Sequence, residues 1–209
     1  VSAKVALPPV SASALNLNGG SFVIPAGSTL AGPGALALTG GNATFAETLA
    51  FSSAVTISSG AWAFNADQTF ANLTISSGVL RGTGTVTVTG TFSWTAGAMF
   101  DAGKTVIAAS ATATISGGGQ KDLASNRILE NAGTLVVSGG TVFFNLSNFG
   151  GGAVINNLAG ATLEAQGEVD FSHNFGSPGS AINNAGIFRK TGRGETRLSS
   201  ATVALNNTG

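Results

Sequence analysis

The 209-residue chain contains no cysteine and no tyrosine, and only one methionine and one histidine. Without cysteine there is no disulfide framework, no thiolate metal site and no thiol nucleophile. A lone histidine cannot assemble a zinc site of the usual nitrogen and sulfur donors. Charge is also scarce: 9% of residues, nine basic against nine acidic, leave no footprint for nucleic acid or for an anionic membrane surface. No run of about 18 apolar residues occurs, so nothing reads as a membrane-spanning helix and no membrane insertion is expected. Helical periodicity is missing as well, and only residues 121–130 read as a candidate helical turn. The chain opens at Val1 without a signal segment and stops inside a recurring phrase, Asn206-Asn207-Thr208-Gly209. It is therefore read as an excised or processed fragment.

What is abundant is glycine, with 31 residues, beside 43% apolar residues and 13 phenylalanines. That apolar content is enough to offset the entropy of ordering, so disorder is excluded. A phrase of apolar residue, x, small polar residue and glycine returns at Leu17-Asn18-Gly19-Gly20, Leu38-Thr39-Gly40-Gly41, Ile57-Ser58-Ser59-Gly60, Ile75-Ser76-Ser77-Gly78, Ile115-Ser116-Gly117-Gly118 and Val137-Ser138-Gly139-Gly140. Early copies lie about 18 to 20 residues apart, the length of one solenoid coil. A second phrase, Asn-(x)-Ala-Gly, then takes over at Asn131, Asn157 and Asn184, with a variant at Asn207. Between the glycines apolar and small polar residues alternate, as in Thr85-Val86-Thr87-Val88-Thr89, the period of strands with one buried face.

Only one Asn-Gly pair, Asn18-Gly19, offers the favoured two-residue hairpin turn. Whole phrases recurring at coil length point instead to parallel stacking, each strand pairing with its equivalent one coil on. The expected fold is all-β, a right-handed parallel β-helix running through residues 1–209, with 1–12 as an extended N-terminal segment. Alignment of the last copies predicts an inward column Leu135, Leu163, Phe188 and an outward column Val136, Glu164, Arg189. Asparagine tolerates left-handed backbone and can bond along a stack. Asn131, Asn157, Asn184 and Asn207 are accordingly expected to form a structural column.

The stretch Ile182-Asn183-Asn184-Ala185-Gly186-Ile187-Phe188-Arg189-Lys190-Thr191-Gly192, followed by Leu205-Asn206-Asn207-Thr208-Gly209, resembles the repeat of large secreted or cell-surface bacterial β-helix proteins of the adhesin and autotransporter-passenger type. Phe92-Ser93-Trp94-Thr95-Ala96-Gly97 with Ile115-Ser116-Gly117 is similar to their upstream phrase. The likeness covers roughly residues 85–209, and the first 84 share only its style. It implies a secreted or surface location and a structural or adhesive role, with nothing catalytic carried over.

Because pectin-type lyases and hydrolases share the β-helix fold, an enzymatic site has to be weighed. Such a site needs carboxylates and a cation converging from adjacent coils. The local candidates are Glu164, Glu168, Asp170 and His173, with Arg189, Lys190, Arg193 and Arg197 about one coil later. The alignment sets Glu164 beside Arg189, which reads as a surface ion pair. His173 reads as a loop residue between two buried phenylalanines. Gly117-Gly118-Gly119-Gln120-Lys121-Asp122 matches the calcium-binding nonapeptide poorly and only once, and no phosphate loop occurs. No cofactor is expected. Thr85, Thr87 and Thr89, with Thr112-Ala113-Thr114 extending the row, raise binding of ice or polysaccharide. Trp62 and Trp94 are placed as caps of the core. The expected role is a non-catalytic structural or adhesive segment. The alternatives are a filament subunit associating through its solenoid ends, and a solenoid that binds a glycan, another cell-surface ligand or ice.

Overall fold

The computed structural model describes residues 4–6, 14–51, 53–145, 151–175, 179–200 and 202–209. Among these are 24 strands and no helix, and every strand pairing is parallel. The strands stack in about nine coils as a β-solenoid. Three ladders run along it. The first passes from Ala14–Leu17 through Ala35–Leu38, Ala54–Ile57 and Thr112–Ser116 to Ile187–Thr191. The second passes from Ser21–Ile24 through Ala61–Phe64 and Lys121–Leu123 to Thr196–Leu198. The third includes Lys104–Ile107, Ile128–Asn131, Val154–Asn157, Ser180–Asn184 and Val203–Asn207. Of the extended segment expected over 1–12, only Lys4–Ala6 is described, and it pairs with Thr29–Gly32. The remainder lies outside the described residues.

Alternation in the chain becomes alternation across the wall. Leu36, Val55, Leu73, Phe92, Ala113, Leu135 and Leu163 form one inward column, each at most 1% exposed. Phe188 continues it, half-buried, and Val136, Glu164 and Arg189 stack on the outer side. Since side chains alternate with period two, a one-residue slip would turn these leucines to solvent, and the register is correspondingly firm.

Volume is balanced between coils, as close packing requires. Bulky Phe92 and Trp94 are followed one coil on by small Ala113 beside Ile115. Phe22 and Trp62 stack at 5.9 Å across Ala43, and Phe45 lies over Phe64 at 5.0 Å. Both tryptophans are wholly inside the core rather than capping it. Each holds a position in an inward column with a coil above and below.

Partway along, the coil widens. Early neighbours bond across 18 to 20 residues, whereas Gly97 already faces Lys121 and the later asparagines lie 26, 27 and 23 apart. The candidate helical turn at 121–130 falls at this widening and is instead two strands, Lys121–Leu123 and Ile128–Asn131. Ser125 (φ 59) and Asn126 (φ 63) between them hold left-handed backbone, which a right-handed helix cannot contain.

Candidate functional site

At the widening one inward column changes chemistry. Phe70, Val88 and Ile107 are followed in register by Asn131, Asn157, Asn184 and Asn207. A carboxamide both donates and accepts, so identical side chains one coil apart can pass a hydrogen bond along the stack. Asn131 Nδ2 donates to Asn157 Oδ1 at 2.7 Å, Asn157 to Asn184 at 2.6 Å and Asn184 to Asn207 at 2.5 Å. The first three are at most 2% exposed. Their amides also seal the adjoining turns, Asn131 donating to the carbonyl of Thr162 and Asn157 to that of Ile187.

Glycines follow for two different reasons. A Cβ on Gly133 would lie 2.3 Å from Ala111 O and one on Gly186 2.4 Å from Ala161 O, so both are demanded by the coil beneath. Gly160, third after Asn157, is not their counterpart. Ala161 takes that place, its carbonyl accepting from Asn157 as Gly133 O accepts from Asn131. Two extra residues lengthen this turn, and Gly160 adopts a φ of +83 with open space around it.

Sequence reasoning missed a second ladder on the outer side. Asn183 Nδ2 donates to Asn156 Oδ1 at 2.9 Å and Asn206 to Asn183 at 2.8 Å, the opposite sense to the inner ladder. The signal was the asparagine doublet at 156–157, 183–184 and 206–207.

The charged candidates are divided by a corner. Strand Thr162–His173 pairs with Ile187–Thr191 before the register shift and with Thr196–Leu198 after it. Before the corner Glu164 accepts from Arg189 and from Thr191 Oγ1. The Thr191 hydroxyl first and the Arg189 guanidinium second hold its carboxyl below the usual range. Beyond the corner Arg197 bridges Glu168 at 3.0 Å and Glu195 at 2.9 Å. Glu168, Asp170 and Arg197 line an open depression of about 630 Å³, which neither Glu164 nor Arg189 reaches. Glu164 and Arg189 are therefore not gathered into one groove with Glu168 and Asp170. His173 ends the strand rather than lying in a loop, its Nδ1 3.1 Å from Ser180 Oγ. Of the phenylalanines flanking it, Phe171 is buried and Phe175 is exposed.

Two buried cations mark the widening. Arg127, fully enclosed, donates to the carbonyls of Gly82, Phe100 and Lys104 and to Thr105 Oγ1. Burial pulls its pKa down to about 10 against the opposing Asp101 charge. Asp101 pairs with Arg81 at 3.1 Å. Burial pushes the Asp101 carboxyl up, but Arg81, the Gly82 N–H and Arg127 outweigh this and leave it lowered. The second cation is Lys121, also fully enclosed.

The outer side of the first ladder carries hydroxyls in register. Thr91, Thr112, Thr134 and Thr162 form one column, and Thr56, Thr74, Ser93 and Thr114 form the next. Equivalent hydroxyls are about 4.8 Å apart between coils, and alternate residues along a strand about 6.6 Å apart. This corrects the expected row. Thr85 and Thr87 belong to the third ladder, where Lys104 and Val106 follow them, and do not align with Thr112 and Thr114.

Residues 137–209 match a protein-family model described as Haemagglutinin repeat. The matched segment begins just past the widening and takes in the wide coils. No curated protein and no solved structure matches the chain. That family is typical of secreted or cell-surface proteins. Its match and the solenoid together fit a bacterial secreted or cell-surface β-helix repeat protein with an adhesin-like character.

Proposed function

We propose that this chain is a non-catalytic structural or adhesive segment of a secreted or cell-surface bacterial protein, a rod that spaces or presents a binding surface. The observation that carries the reading is the stacking of parallel strands, coil on coil, over a main core running from Leu30 to Val203. Such a core resists bending because each coil is held by both neighbours. The pairing of Glu164 with Arg189 and Thr191, and of Glu168 with Arg197, supports surface cohesion rather than acid–base chemistry. The test is competition: purified chain is added to bacterial adherence assays and, separately, to polygalacturonate with unsaturated product followed by absorbance. Inhibition of adherence without product supports an adhesive role, and rod-like scattering alone supports a spacer. Sustained product formation would overturn the non-catalytic reading.

A second reading is favoured by the hydroxyl columns. No tyrosine exists and both tryptophans are buried, so binding would rest on hydrogen bonds from an uncharged array. Retention on insoluble neutral glycan, lost in Thr112→Lys, would support it, and thermal hysteresis would identify ice instead. End-to-end association into filaments is the third. Ile187 (58% exposed) and Leu205 (41%) lie with Phe188 and Asn207 around a depression of about 390 Å³ on the last coil. Electron microscopy and sedimentation over a concentration series decide between fibres and persistent monomers.

A further inference from the structure

The glycine run 117–119 contains no carboxylate and resembled a calcium loop only weakly, yet it encloses a cation. Lys121 opens the strand Lys121–Leu123, stacked between Gly97 and Val142. Its side chain turns back under the loop that precedes it. Nζ donates to Gly117 O at 2.8 Å, Gly119 O at 2.8 Å and Ser116 O at 3.3 Å. The ammonium has three N–H groups and three carbonyl acceptors, and no carboxylate among the described residues pairs with it. Gly140 of the next coil forms the roof. A Cβ there would lie 2.7 Å from Gly117 O and 3.4 Å from Nζ, so the enclosure closes only over glycine.

Backbone carbonyls without carboxylates are the donor set of weakly hydrated monovalent cations, whereas calcium and magnesium call for carboxylate charge. We propose that loop 116–119, roofed by Gly140, is a monovalent-cation site that the chain fills with the ammonium of Lys121. The site sits where the coil lengthens. Val79 faces Ala98, but Gly97 faces Lys121, and the added residues include this loop. The cation fastens the longer coil to itself by drawing inward the carbonyls of Gly117 and Gly119, which lie outside any strand, together with that of Ser116 at the end of Thr112–Ser116. Removal of the side chain leaves a vacancy that a free ammonium or potassium ion can occupy.

The experiment compares wild type, Lys121→Ala and Lys121→Met by thermal unfolding in chlorides of ammonium, potassium, lithium and tetramethylammonium at equal ionic strength. Lys121→Ala loses about 5 °C or more in tetramethylammonium and recovers at least half of that in ammonium or potassium. Lys121→Met, whose chain fills the space without charge, falls similarly and recovers in none of them. Should Lys121→Ala refold poorly, its refolding yield across the same salts gives the same reading. A loss that every chloride repairs equally, or no loss in either variant, would overturn the proposal.

Discussion

Replacing Asn157 by alanine isolates the contribution of the inner ladder, because this side chain is 1% exposed and bonded on both sides. It receives the Asn131 amide at 2.7 Å and donates to Asn184 Oδ1 at 2.6 Å and Ile187 O at 3.1 Å. These three lost hydrogen bonds remove about 1 kcal/mol each, the long 3.5 Å contact to Ala161 O adding little, and an acceptor left dry and unpaired adds about 1 kcal/mol more. The expected loss is thus about 4 kcal/mol, or about 10 °C in Tm for a domain of this size. Because neighbouring coils hold one another, amide exchange should accelerate first in Val154–Asn157 and Ser180–Asn184. Asn157→Asp sharpens the test. A carboxylate accepts from Asn131 but opposes Asn184 Oδ1, so it should be at least as damaging as alanine near neutral pH and recover partly on acidification. Asn206→Ala, in the exposed outer ladder, removes one bond and should cost under about 1 kcal/mol. If calorimetry finds Asn157→Ala within 2 °C of wild type, or no more costly than Asn206→Ala, the ladder does not hold the coils.

Gly133→Ala drives a methyl into the Ala108 and Ala111 carbonyls and should cost several kcal/mol, whereas Gly160→Ala meets open space and should cost about 1 kcal/mol for its left-handed backbone; chemical denaturation separates them. The folded-state pKa of Glu164 is lowered, so its contribution to stability is present above the unfolded carboxyl value and is lost as pH falls through the folded one. Melting curves from pH 6 to pH 2 should accordingly fall less steeply in Glu164→Gln than in wild type. Arg127→Met leaves the Gly82, Phe100 and Lys104 carbonyls without this donor and Asp101 with Arg81 alone as its cation; a loss of about 3 kcal/mol is expected in denaturant titration, with faster exchange across residues 97–131.

Period-two alternation and glycine phrases at coil length were enough to define an all-β parallel solenoid, because each strand must bury alternate residues and each coil must turn at the same places. The Asn131, Asn157, Asn184 and Asn207 series was visible because its spacing is that of the coil and its neighbours repeat. Contacts made across coils by residues outside such phrases were not legible. Arg127 reaches Gly82, 45 residues earlier, and Lys121 folds back beneath a glycine run that reads only as a poor match to a calcium loop. Two charges that look solvated in the chain are among the most buried groups in the molecule. The register decided the rest. One corner after Gln166 parts Glu164 from Glu168, and coil lengths that vary from 18 to 29 residues set Thr112 over Thr91 rather than near Thr85. Local pattern determines which face a residue takes, but only the accumulated length of each coil determines what it stands upon.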